Sequence, residues 1–169
     1  MWPKDQLAEH RGTGAGAGTE AVPVEAVGGR VRLATITMPA KERYVAFARL
    51  ATGHLCGVVG VAFSRVADLR LAVGEACGQF LQVSGALRGS DGMIELCFER
   101  EPGTLRITVR GPVAGDWPDR AGLGWLVLDA LVADLRWEVP DGDGLGALGF
   151  SEPLPPDELS GDVLWFAAP

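Results

Sequence analysis

The spacing of apolar and polar positions changes along the chain, and each change predicts an element. Val31 to Met38 is rich in β-branched residues and stops at Pro39, as a strand does. Tyr44, Phe47, Ala48, Ala51 and Leu55 then recur at helical spacing, with Arg43 and Arg49 off the stripe and Gly53 and Gly57 flanking the expected end. A second helix follows Ser64, whose hydroxyl suits an N-cap, and Val66, Leu69, Val73, Ala76, Phe80 and Val83 repeat toward a core. Ile94, Leu96 and Phe98 alternate with Glu95 and Cys97; after the turn chemistry of Pro102-Gly103, Leu105, Ile107 and Val109 alternate again, predicting a hairpin. The run Leu123 to Leu135 is apolar on nearly every side and reads as a buried helix. Trp137 to Val139 and Leu145 to Phe150, on either side of Asp141-Gly142-Asp143-Gly144, predict a second hairpin.

The order strand, helix, helix, hairpin, helix, hairpin describes an α+β fold, a two-layer sandwich with a mixed, mostly antiparallel sheet and its helices on one face. With 169 residues the chain suits one core rather than two. The Gly-Thr-Gly-Ala-Gly-Ala-Gly stretch from Gly12 to Gly18 offers nothing to offset the cost of ordering it, so residues 1–29 are expected to form a mobile tail. Residues 30–151 form the predicted domain. Pro153, Pro155 and Pro156 mark 152–169 as an extension, whose apolar Val163-Leu164-Trp165-Phe166 is expected to dock.

Composition removes several function classes. A formal charge of −7 without any Lys/Arg cluster would repel a phosphate backbone, which argues against direct nucleic-acid binding. Cys56, Cys77 and Cys97 lie apart in apolar stretches and are expected to be reduced core thiols. His10 and His54 alone make no metal-ligand cluster. The start lacks a basic segment followed by an apolar run, and nothing is long enough to span a bilayer, so a cytoplasmic protein with no membrane contact is expected.

The candidate chemistry sits on the second helix. Glu75 and Gln79 are four residues apart and share one face, bringing a carboxylate and an amide oxygen to one place; a solvated helix face explains the pair equally well. Gly122 and Gly124 open the third helix, where free backbone N–H groups can cradle phosphate, although a plain glycine turn has the same appearance. Asp116, Asp119 and Arg120 read as solvated residues, and Trp125 and Trp137 as packing.

The segment Asp68-Leu69-Arg70-Leu71-Ala72-Val73-Gly74-Glu75-Ala76-Cys77-Gly78-Gln79 resembles the N-box helix of the anti-sigma-factor serine kinases, a branch of the GHKL ATPases, whose usual form is L-x-x-A-V-x-E-A-x-x-N. Ala121-Gly122-Leu123-Gly124-Trp125-Leu126-Val127 is similar to that family's second glycine box, and Val45 to Leu50 to the helix before the N-box. The resemblance runs from about Val31 to Phe150 and implies a histidine-kinase-like ATPase fold with ATP and magnesium as cofactors. It implies Glu75 as the base that positions an attacking hydroxyl, Gln79 at the magnesium-holding place, and Gly111, Gly115, Gly122, Gly124 and Ala147 around the nucleotide.

Three positions depart from the pattern. Gln79 replaces Asn and moves its oxygen by a methylene, which magnesium geometry resists. Gly111 stands where an Asp reads the adenine amino group, with Val113 in the place of the next glycine. Ala147 follows Gly146 where a Thr supports that Asp. Loss of such an acceptor costs about a hundredfold in affinity. The resemblance with these losses implies a regulator that captures a sigma factor or a STAS-type anti-anti-sigma factor by partner switching, with nucleotide binding weakened or lost. Arg43 and Arg49 on the first helix are its candidate contacts, though exposed charge explains either one alone. The alternatives are a working kinase that phosphorylates a serine of its antagonist from Mg-ATP, and an oligomerisation module. The two-fold homodimer common in that family stays open.

Overall fold

The computed structural model describes residues 29–84, 92–113, 117, 120, 122–139 and 144–155. The predicted tail up to Val27-Gly28, and the Trp165-Phe166 segment, lie outside the described residues.

Strand β1 (Val31–Pro39) leads through a 3-10 turn at Glu42–Tyr44 into α1 (Val45–Val58), then α2 (Phe63–Ser84), β2 (Met93–Glu101), β3 (Thr104–Pro112), α3 (Leu123–Leu131), β4 (Ala133–Glu138) and β5 (Leu145–Pro153). The strands form one sheet in the order β1-β2-β3-β5-β4. All four pairings are antiparallel, where a mixed sheet is expected from the sequence. The reason is the helical hairpin between β1 and β2: α1 and α2 carry the chain out and back, so β2 returns against β1 instead of beside it in parallel.

Helix α1 ends on a glycine with positive φ. Gly60 (φ +81°) follows the last turn, and the Val61 N–H donates to the Cys56 carbonyl at 2.9 Å. This closure reverses the chain within four residues and lays α2 along α1. The two helices approach closely because each offers the other a glycine: Arg49 lies on Gly74, where a Cβ would displace its guanidinium, and the Arg70 side chain would stand 2.9 Å from a Cβ at Gly53. The buried face of α1 is accordingly small, comprising Ala48, Thr52 and Cys56. Of the expected stripe, Ala48 is buried and Tyr44 and Leu55 pack against the core, whereas Phe47 points to solvent, as does Leu50. Thr52 tolerates burial because its hydroxyl donates to the Ala48 carbonyl at 2.8 Å.

Along the strands, period-two alternation sends Ile94, Leu96, Phe98, Leu105, Ile107, Val109, Leu148 and Phe150 under the helices, against Leu69, Val73, Ala76, Phe80 and Leu128. The opposite face carries cross-strand ion pairs, among them Arg32–Glu99 at 3.2 Å and Arg106–Glu101 at 3.1 Å. Two elements differ from expectation. Ser64 lies inside the first turn of α2 rather than capping it. The long apolar run splits, with α3 stopping at Leu131 and the chain entering β4, where Asp134 (φ 54°) takes the left-handed conformation at a register shift. An apolar run of that length fits a buried helix or a helix followed by a strand equally well; the unpaired edge of β5 decides for the strand.

A partly buried ion pair joins three elements. Arg65 near the start of α2 forks onto both carboxylate oxygens of Glu152 at 3.0 Å, and also reaches Asp68 at 2.7 Å and the Leu131 carbonyl at 2.8 Å. Glu152 draws the end of β5 inward, and the Leu154 N–H then donates to Gly103 O at 2.8 Å. The folded unit thus continues past residue 151, where the prolines suggest a boundary.

The thiols of Cys56, Cys77 and Cys97 are free and buried. Burial pushes Cys56 up to about 11 and Cys77 up to about 12.

Arg65→Met strands the Glu152 carboxylate in the interior and is expected to cost about 3 kcal/mol in urea denaturation. Neither Cys56 nor Cys77 should react with a thiol reagent at pH 8 until denaturant is added. Unfolded thiols ionise near 8.5 whereas these two stay protonated, so their contribution to stability is intact below about pH 8.5 and is lost as pH rises toward 11. Melting curves between pH 8 and 10.5, compared with a Cys56→Ala/Cys77→Ala variant, measure that loss.

Candidate functional site

Glu75 and Gln79, one turn apart on α2, meet the first turn of α3. Glu75 Oε2 is 3.5 Å from where a Gly124 Cβ would stand, and the Gln79 amide lies against that position, so a side chain there would displace it. Gly122 caps α3 with extended backbone (φ −73°, ψ 150°). The structure brings Glu75 and Gln79 together, as helical spacing leads one to expect, and sets Gly124 against them. It places the buried Gln79 as the cover over the helix start.

The other end of the site is closed. Gly111 on β3 and Gly146 on β5 are direct partners in register, and both belong to the alternating set that faces the helices. Two opposed positions without side chains leave a bare patch of sheet. A Cβ at Gly111 would lie 2.8 Å from Phe80 Cγ, and one at Gly146 would lie 2.9 Å from the Trp117 ring. These rings stack on each other, with centroids 5.3 Å apart and planes at 29°. Trp125 continues the series at 6.3 Å from Trp117, and Trp137 meets Trp125 edge-on at 6.0 Å. Arg120 lies over Trp137 at 4.5 Å and pairs with Asp129 at 3.7 Å. The indole N–H groups of Trp117 and Trp125 are buried and find no acceptor among the described residues.

This geometry corrects the reading of Ala147. Ala147 pairs with Arg110 and Glu138 and faces the opposite side of the sheet, so it does not belong to the site. The inward place is taken by Gly146, one residue earlier, because strand parity assigns the positions. Gly115, Asp116 and Asp119 lie outside the described residues. Trp117 is the residue of the site that the sequence reading misses, and Phe80, expected only as core, takes a place in it. The only signal for Trp117 is a large aromatic in a loop just after a glycine-bearing strand.

The two candidate partner arginines differ. Arg43 is exposed on the 3-10 turn with its guanidinium 5.2 Å from the Tyr44 ring centre. Arg49 crosses Gly74 with its side chain 40% exposed, its Nε is buried with no hydrogen-bond partner among the described residues, and its terminal nitrogen is 3.7 Å from Glu75 Oε1. Glu75 is therefore held by a cation from α1. A groove of about 680 Å³ between α1 and α2, lined by Glu42, Arg49, Arg70 and Glu75 over Gly74 and Gly78, opens beside it. No group of His, Cys, Asp or Glu able to hold a metal occurs among the described residues, and no described helix is long and apolar enough to cross a membrane.

A purine placed over Gly111 would need the volume that Phe80 and Trp117 fill, so the residues present do not fit the adenine end of ATP. At the phosphate end Gln79 covers the first turn of α3. In this arrangement the described site is a packed aromatic stack with a carboxylate at its rim.

A family model described as a histidine kinase-like ATPase domain matches residues 38–146. Among solved structures, the nucleotide-free catalytic domain of the histidine kinase ThkA is matched with a TM-score of 0.45 at 9% identity, over 74% of this chain and 100% of that one. No curated protein matches significantly.

Gly111→Ala is expected to cost about 1–3 kcal/mol by overpacking against Phe80. In a Phe80→Ala background the same change should cost less than half as much. A double-mutant cycle by chemical denaturation measures this coupling.

Proposed function

We propose, for a chain that belongs to the histidine kinase-like ATPase domain family, a regulatory role in which the fold acts as a protein-binding body whose nucleotide site has become part of the core. The five-stranded antiparallel sheet with helices on one face is the GHKL ATPase-like fold. Within that family the N-box and glycine-box likeness favours the anti-sigma-factor branch. The proposed action is partner switching with a sigma factor or a STAS-type anti-anti-sigma factor. The observation that carries the loss of nucleotide binding is the stack of Phe80 and Trp117 on the Gly111–Gly146 patch.

Those two glycines are more than losses of an acidic reader and its support. Each is what its ring requires, since any side chain at either position collides with an aromatic. Restoring an Asp at 111 without removing Phe80 would create a clash rather than a base-binding site. Glu75, tied to Arg49, then serves to join α1 to α2 instead of activating a hydroxyl. The competing reading, a serine kinase using Mg-ATP with Glu75 as base, needs both rings to leave the patch.

Calorimetry with Mg-ATP at neutral pH is expected to show no binding tighter than millimolar, and affinity for a sigma or STAS partner is expected to be unchanged by the nucleotide. Micromolar binding of ATP, or transfer of its γ-phosphate to a STAS serine, would establish the kinase instead.

A further inference from the structure

Helix α1 buries its small residues and leaves its large ones outside. Phe47 is 51% exposed, Leu50 65% and Val58 73%, and with His54 they lie three or four residues apart along one face. Just past the helix end Phe63 is 94% exposed. A row of large apolar side chains along one helix in water is the mark of a docking surface.

The chain itself supplies an occupant. The last described residue, Pro155, approaches Gly60 in the α1–α2 turn, its Cγ 3.9 Å from where a Gly60 Cβ would be. Fourteen residues follow, 156–169, and they contain the apolar run Val163-Leu164-Trp165-Phe166. They start from Pro155 beside Gly60, two residues past Val58 at one end of the exposed row. The eight residue steps from Pro155 to Val163 span up to about 26 Å when extended. Helix α1, with 14 residues, is about 21 Å long, so every point of the row lies within reach. Charge agrees as well: the linking residues include Asp157, Glu158 and Asp162, whereas α1 has no carboxylate and carries Arg49 and His54, with exposed Arg70 on the neighbouring helix.

We propose that Val163-Leu164-Trp165-Phe166 docks in cis on the Phe47–Leu50–Val58 face of α1. Tethering at Pro155 gives the segment an effective concentration on the order of millimolar at that face, so even weak apolar contacts keep it engaged. The inference stands apart from the nucleotide site and from the identity of any regulatory partner.

The test uses the full chain. Trp165→Ala/Phe166→Ala and, separately, Leu50→Glu should each raise amide exchange across residues 45–58 by about threefold or more while exchange in β2 and β3 stays unchanged. A Leu50→Cys/Phe166→Cys variant at low micromolar concentration should form a disulfide within one chain, seen as a faster band on non-reducing gels. Exchange in α1 that does not respond to the Trp165→Ala/Phe166→Ala pair overturns the proposal. So does a disulfide that forms only between chains, since the face would then be covered by a second copy.

Discussion

Two glycines facing each other across a strand pair leave a hole in the packed side of a sheet, and a structure of this size cannot leave such a hole open. Gly111 and Gly146 create that vacancy at one end of the β3–β5 pair, beneath Phe80 of α2. Phe80 from α2 and Trp117 from the segment before α3 fill it. Once they are stacked, the height of α2 above β3 is fixed, and Trp125 follows on the next layer. The direction in which α3 starts, and hence the contact of Gly124 with Gln79, depends on this filling. Flat rings suit a flat floor; aliphatic side chains would leave voids, and voids are costly.

The other contacts hold the frame around this stack. Arg49 on Gly74 and Arg70 on Gly53 set the spacing of the helical hairpin, and the fork of Arg65 on Glu152 closes the opposite end of the domain. Glycines within helices weaken them locally, and here the weakness is exchanged for close approach. The exposed row on α1 has the same origin. A helix that presents Ala48, Thr52 and Cys56 to its neighbour has only its solvent side left for Phe47, Leu50 and Val58.

Much of the fold is legible before any coordinates, because alternation in Ile94-Leu96-Phe98 and Leu105-Ile107-Val109 admits one structural meaning. The pairing of Glu75 with Gln79 is legible for the same reason, since helical spacing alone puts both on one face. What escapes is whatever depends on a second element. Phe47 is misplaced within an otherwise core-facing stripe of α1, because the glycines of α2 select small residues at the helix contact. The α3–β4 boundary escapes because the composition of Leu123 to Leu135 suits either state. Ala147 and Gly146 are exchanged because inward and outward positions on β5 follow from its register with β3, which is not written in β5. The role of Trp117 belongs to a loop without periodicity, and only the bare patch on the sheet explains it.

A bound cofactor stabilises a protein in proportion to the logarithm of its concentration, so a fold that leans on one is softest when the cofactor is scarce. An aromatic pair carried by the chain is always present at one equivalent and never dissociates into bulk solution. In the proposed role, the Phe80–Trp117 stack uncouples the rigidity of this domain from the supply of nucleotide around it.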